Sequence, residues 1–205
     1  MPQTRFHPAD AAPGKLIMVL HGRGDSMDGF TWLPEALALP GVAYMFVNAP
    51  DDYFGGYSWY DLPPDQGPGI LRSRALLAGL LDDLVGRGWK SEDVAIFGFS
   101  QGCLMAIDVG ARYPRRLAGV CGISGYVFFA DELQTETAAH AREMPWWVSA
   151  GTQDHVVPYA LTAEGVEAMR DAGLAVEWHA YQKGHTIDPE RELPDVRTWL
   201  AKVLA

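Results

Sequence analysis

Val94-Ala95-Ile96-Phe97-Gly98-Phe99-Ser100-Gln101-Gly102-Cys103 is the stretch that decides how this chain folds. An apolar run ends in Gly-Phe-Ser-Gln-Gly, and Leu104, Met105, Ala106, Ile107 and Val109 then continue at helical rather than alternating spacing. Strand, sharp turn and helix together place a serine at the apex of a strained elbow, its hydroxyl pushed out over the end of a sheet. Gly98 and Gly102 suit that geometry, because strand and helix nearly collide and a Cβ would clash. A helix beginning at Gln101 also aims free N–H groups and partial positive charge at the serine. The pentapeptide alone is equally compatible with a glycine-rich turn that happens to carry a serine, so its neighbours must decide.

Working outward, Leu16–Leu20 reads as a strand buried on both faces and Val42–Val47 as a second strand, with a short helix suggested by Trp32, Leu33, Ala36 and Leu37 between them. Residues 51–69 read as a long aromatic loop covering something, and 71–85 as a helix ended by Gly86 and Gly88. Beyond the elbow come a strand over 117–123, an ambiguous stretch over 126–143, and a strand over 146–151. A helix over 159–172, a strand over 176–181 and a closing helix over 190–203 complete the pattern. Strands alternating with helices imply right-handed crossovers and an α/β architecture with a largely parallel sheet. Residues 1–14 read as a loosely ordered lead-in to a single domain spanning 1–205.

A chain of 205 residues with 48% apolar and 20% charged residues has ordinary globular composition and enough length for a layered core. A net charge of −10 argues against nucleic acid or an anionic membrane surface as partner. No apolar run approaches membrane-spanning length, so integral membrane association is not expected. Cys103 and Cys121 read as small buried apolar residues, and a reducing cytoplasm is the default location. No Cys/His spacing suggests a metal and no glycine-rich loop has the form of a phosphate cradle, so no metal or cofactor is expected.

In open α/β sheets, ligands bind outside the carboxyl ends of the strands. Four segments deliver polar residues there: His21–Ser26, Ser100, Asp154 and His185. A serine hydroxyl needs an imidazole to take its proton, and a carboxylate to set the tautomer of that imidazole. His155 adjoins Asp154 in the chain, which hinders a well-aligned bond between them, and His179 lies inside a strand. His185, in the loop past that strand, is free to reach over the sheet end and is the expected base. Asp154, directly after a strand, is the expected acid, with Asp131 and Asp188 as weaker candidates. A tetrahedral intermediate needs two preorganised N–H donors, expected from the backbones of Gln101 and Arg23. His21 reads as a hydrogen-bonding support behind the Arg23 loop. Trp59, with Tyr57 and Tyr126, is the expected lining of an acyl pocket.

Leu20-His21-Gly22-x-Gly24-Asp25, Ser58-Trp59-Tyr60-Asp61, Gly98-Phe99-Ser100-Gln101-Gly102, Asp154-x-Val156-Val157-Pro158 and Gly184-His185 together resemble the phospholipase/carboxylesterase family of α/β-hydrolases. That family includes small bacterial carboxylesterases and acyl-protein thioesterases. The resemblance implies an α/β-hydrolase fold, a mostly parallel central sheet with helices on both faces. It also implies Ser100 as nucleophile, Asp154 and His185 as its partners, Arg23 and Gln101 as oxyanion donors, and a pocket near Trp59. Arg23 stands where the family usually has an apolar residue, and Cys103 where glycine is frequent. The expected activity is hydrolysis of short- to medium-chain carboxylic esters, with thioesters and lysophospholipids as further candidates. The expected partner is a small-molecule ester, with a homodimer as a candidate assembly. A lactone or dienelactone hydrolase and a non-hydrolytic sensor of a small ligand are the alternatives.

Overall fold

A computed structural model describes residues 2–9 and 14–205 of the chain. Nine strands and six α-helices are seen among them. The strands are β1 Thr4–His7, β2 Lys15–Leu20, β3 Val42–Val47, β4 Asp51–Tyr53, β5 Gly56–Ser58, β6 Val94–Phe99, β7 Gly119–Ile123, β8 Trp146–Gly151 and β9 Val176–Tyr181. The helices are α1 Leu33–Leu37, α2 Gln66–Gly86, α3 Gln101–Arg112, α4 Ala130–Glu136, α5 Tyr159–Asp171 and α6 Glu192–Val203.

Seven strands form one sheet in the order β1-β3-β2-β6-β7-β8-β9, with every pair parallel except β1 against β3. The protein therefore has the largely parallel α/β sheet that the alternation of elements implied, in the α/β-hydrolase fold that the resemblance implied. Because successive strand residues face opposite ways, each buried strand feeds two cores. Leu16, Met18, Leu20, Val94, Ile96, Trp146 and Val148 face the helices α2, α3, α4 and α5. Ile17, Val19, Ala95, Phe97 and Trp147 face α1 and α6. Unbroken apolar runs such as Leu16–Leu20 are what a strand covered on both sides requires.

Register decides where the site lies. Leu20 sits opposite Gly98, Gly98 opposite Gly122, Ile123 opposite Ser149, and Gly151 opposite Tyr181. The carboxyl ends of five strands thus share one edge, and the segments following them emerge side by side.

Three expectations are corrected. The stretch 51–69 is not a long loop: β4 and β5 form a hairpin, turned at Phe54 and Gly55 with φ of 45° and 88°. A left-handed phenylalanine is a costly turn residue, so the sequence carries little hairpin signal there. Helix α2 begins at Gln66 rather than near 71, since Pro68 falls in its first turn, where no N–H is needed. The lead-in reading of 1–14 fails for Thr4–His7, which pair with β3 as an exposed edge strand; residues 1 and 10–13 of that stretch lie outside the described residues. The ambiguous 126–143 stretch resolves into α4 and a 3-10 turn at Ala139–Glu143.

Candidate active site

The elbow has the strain that its composition implies. Ser100 has φ 56° and ψ −117°, and its N–H donates to Ile123 O at 2.9 Å. A non-glycine residue in that region persists only where its surroundings over-determine it. Here β6 runs into α3 with no slack. A Cβ on Gly98 would strike the Gly102 carbonyl, and one on Gly102 would strike the carbonyls of Leu20 and His21.

Ser100, Asp154 and His185, which follow three different strands, meet at the shared edge. His185 Nε2 lies 2.9 Å from Ser100 Oγ, and His185 Nδ1 lies 2.7 Å from Asp154 Oδ2. A buried carboxylate can only accept, so Nδ1 carries the proton and Nε2 accepts from the serine hydroxyl. The other oxygen of Asp154, Oδ1, accepts the N–H groups of Val156 at 2.8 Å and Val157 at 2.9 Å. This turn in the Asp154–Pro158 motif holds the carboxylate before any ligand arrives. The competing candidates are placed elsewhere. His155 and Asp131 are exposed. His179 stacks on Trp147 with ring centroids 3.7 Å apart. Asp188 accepts from the N–H groups of Glu190 and Arg191 and pairs with the Arg191 guanidinium.

Two further segments converge. Gln101 is the first residue of α3, and among the described residues neither its N–H nor that of Arg23 has a hydrogen-bond acceptor. The Arg23 loop is braced throughout. Gly24 N–H donates to Tyr57 O at 2.8 Å, Tyr57 N–H to Asp25 O at 2.9 Å, and Met27 N–H to Asn48 Oδ1 at 2.7 Å. His21 is the support the sequence suggested. Its Nδ1–H donates to Gly22 O at 2.6 Å and its Nε2 accepts from Ala49 N–H at 3.1 Å. Burial lowers its pKa, against smaller upward pulls from the Gly22 carbonyl and Asp25, so the ring is held neutral.

Two of the expected pocket aromatics, Trp59 and Tyr57, are corrected. Trp59 is fully buried: its Nε1–H donates to His21 O at 2.8 Å, its N–H to Gln101 Oε1 at 2.9 Å, and its carbonyl accepts from Ser73 Oγ at 2.6 Å. It is a strut between elbow and loop, and no face of it is open to a substrate. Tyr57 lines a cleft with Gln3, Asn48 and Pro50 that includes neither Ser100 nor His185. Tyr126 is half-buried, directly after Gly125, which packs against the Ser100 carbonyl; its hydroxyl accepts from Gln66 Nε2. Next to His185 a cleft of about 420 Å³ is lined by Phe30, Trp32, Phe99, Ile187 and Leu193, among others.

Sequence reasoning missed two supports. The Gln101 side chain accepts from Trp59 N–H and from Ser58 Oγ at 3.2 Å, and donates to Tyr60 O at 2.8 Å, joining the elbow to the Ser58–Asp61 segment. Beneath the His185 loop lies a buried ion pair, Lys183 with Glu192. Lys183 Nζ also donates to Thr186 O at 2.7 Å, while Glu192 accepts from Ser149 Oγ at 2.7 Å and from Asp188 N–H at 3.0 Å. Burial lowers the Lys183 pKa, with Glu192, Asp154 and Asp188 pulling the other way. The glutamate falls in the first turn of a helix and the lysine just past a strand, a pairing that no local pattern announces.

Comparison with known proteins bears on the chain as a whole. The sequence model of the phospholipase/carboxylesterase family matches residues 3–204. Acyl-protein thioesterase 1 of Schizosaccharomyces pombe is 31% identical over 160 residues, 72% of this chain and 71% of that protein. The Yarrowia lipolytica protein of the same name is 31% identical over 94% of this chain and 93% of its own. The crystal structure of esterase PE8 superposes with a TM-score of 0.90 at 27% identity, covering 99% of both chains. A probable inactive carboxylesterase of Oryza sativa subsp. japonica is more distant, 24% identical over 95% of this chain and 86% of that protein. With the family model spanning almost the whole chain, and relatives over 30% identical across most of it, the chain belongs to the phospholipase/carboxylesterase family of α/β-hydrolases.

Proposed function

We propose that this chain is a serine esterase of one domain, acting on short- to medium-chain carboxylic esters through an acyl-enzyme on Ser100. The observation that carries the reading is the hydrogen-bonded series Asp154–His185–Ser100, ending on a serine in a strained elbow. Ser100 Oγ attacks the ester carbonyl while His185 Nε2 takes its proton, and Asp154 stabilises the imidazolium that forms. The oxygen of the tetrahedral intermediate is held by the N–H groups of Arg23 and Gln101, whose position is rigid before substrate arrives. His185 returns the proton to the leaving alcohol. Water, deprotonated by the same ring, then cleaves the acyl-enzyme, releasing the acid and restoring Ser100.

The activities of the relatives extend the proposal to thioesters. Tyr126, beside the elbow, takes over the acyl-side contact that Trp59 is too buried to make. A cysteine nucleophile, as a dienelactone-type hydrolase would need, is disfavoured. Cys103 is fully buried and burial pushes its thiol up to about 12, with a smaller opposing effect from the Gly125 backbone. Both cysteines are free, in keeping with a cytoplasmic location. Among the described residues no helix is long and apolar enough to cross a membrane.

A fluorophosphonate probe and a panel of p-nitrophenyl esters of graded chain length test the proposal. Labelling, a burst and steady turnover are expected for the parent and absent for Ser100→Ala. Equal labelling of both proteins would overturn the assignment of Ser100. Ester-dependent melting with no turnover would identify a sensor, the outcome that the inactive relative makes worth testing.

A further inference from the structure

We infer that Arg23 makes this site select esters whose acyl chain carries an anionic group, a carboxylate being the simplest. The inference rests on the esterase reading and names its substrate class. Arg23 is placed by its backbone: its N–H is one of the two donors proposed to hold the carbonyl oxygen. An arginine side chain spans about 6 Å from Cα to Cζ, so the guanidinium stands within one side chain of the reacting carbonyl.

The structure holds that charge still without neutralising it. The guanidinium carbon lies 4.1 Å from the centroid of the Tyr53 ring, in the hairpin of β4 and β5. Arg23 Nε is buried and has no hydrogen-bond partner among the described residues. Among the described residues no carboxylate lies within ion-pair distance of Arg23. The nearest in sequence, Asp25, instead accepts from Ser26 N–H at 2.7 Å and packs against Gly29. The two terminal nitrogens are not buried and, among the described residues, make no hydrogen bond, so they are the ones that a ligand can reach.

The anion belongs on the acyl side. The cleft beside His185, where the ring would hand its proton to the alcohol, is lined by the Asp25 carboxylate as well as by Phe30, Trp32, Phe99 and Ile187, so an anion on the alcohol side is repelled. A carboxylate a few carbons beyond the acyl carbonyl meets the planar fork of Arg23 while the carbonyl oxygen meets its N–H. The half-esters of short dicarboxylic acids have this shape.

The test compares monoethyl glutarate with ethyl pentanoate, an ester of the same acyl length without the charge, by ethanol release. The parent should favour the half-ester at least about tenfold in kcat/KM, the scale of one charge-assisted hydrogen bond. That ratio should shrink as KCl is raised, collapse towards one in Arg23→Met, and survive in part in Arg23→Lys. Parent turnover of both esters at equal kcat/KM would overturn the inference and leave the esterase intact. An unchanged ratio in Arg23→Met would overturn it too. Failure of the parent to hydrolyse either ester, with Ser100 unlabelled by fluorophosphonate, would overturn the esterase reading itself. Should Arg23→Met not fold, the ratio in the parent and its salt dependence decide alone.

Discussion

Across 85 positions of sequence, the Nε2 atom of His185 comes within 2.9 Å of the Ser100 hydroxyl, on a ring whose far nitrogen is tied to Asp154. The tautomer follows from the carboxylate, and Asp154→Asn tests it. An asparagine oxygen can still accept from Val156 and Val157 N–H, which leaves its NH2 facing the imidazole. The ring must then accept at Nδ1 and present an N–H to the serine. Turnover should drop on the order of 10⁴-fold with little change in the urea midpoint. A variant within tenfold of the parent would show that the tautomer is set by something else.

Gln101 links the elbow to the Trp59 segment by three side-chain hydrogen bonds in a buried setting. Gln101→Ala strands the Trp59 N–H, while the Ser58 hydroxyl and the Tyr60 carbonyl keep the 2.9 Å hydrogen bond that they make with each other. Urea unfolding should report a loss of about 1–3 kcal/mol. Because Trp59 in turn holds the His21 carbonyl, kcat should fall more than KM changes. An unchanged midpoint would remove Gln101 from its structural role.

Lys183 and Glu192 are buried together. Removing one partner leaves a charge without compensation, whereas removing both does not. Lys183→Met alone should destabilise by roughly 3–5 kcal/mol, and adding Glu192→Leu should return part of that. Equilibrium unfolding of the two variants checks the order. A double variant less stable than the single one would mean that Ser149 and Asp188, not Lys183, are what Glu192 mainly serves.

His21 should leave a signature in the pH dependence of stability. Burial keeps its folded pKa below the ordinary histidine value, so below about pH 6.5 the unfolded chain takes up a proton that the folded chain refuses. Its contribution is therefore complete above that pH and is lost as pH falls, by up to about 1.4 kcal/mol per pH unit. Urea midpoints at pH 7.5 and 5.5 should differ more in the parent than in His21→Gln. Equal differences would mean that other groups carry the acid sensitivity.

Much of the candidate site was legible because its signals are local. A strand period changing to a helix period at Gly98–Gly102, and polar residues just past apolar runs, need only neighbouring residues to be read. His185 stood out from His155 and His179 for the same reason, by position relative to a strand end. Trp59 was misread. An aromatic residue in a Pro- and Gly-rich stretch looks the same whether it lines a pocket or props up a loop. The difference is that its indole N–H meets the His21 carbonyl, 38 positions away. The hairpin at Phe54–Gly55 and the early start of α2 were hidden likewise, since both turn on backbone packing: Gly69 lets helix and Tyr60 approach where a Cβ would meet Tyr60 at 2.8 Å.

The alternation of the parallel strands with their main helices, the elbow and the polar residues at the strand ends were legible in sequence alone, since steric periodicity and glycine geometry act over a few residues. Whether those side chains meet, which aromatic is strut and which is wall, and that Arg23 stays unpaired over Tyr53 were decided only in the tertiary structure. Those properties depend on the register of parallel strands, which brings together groups that nothing in the intervening chain relates.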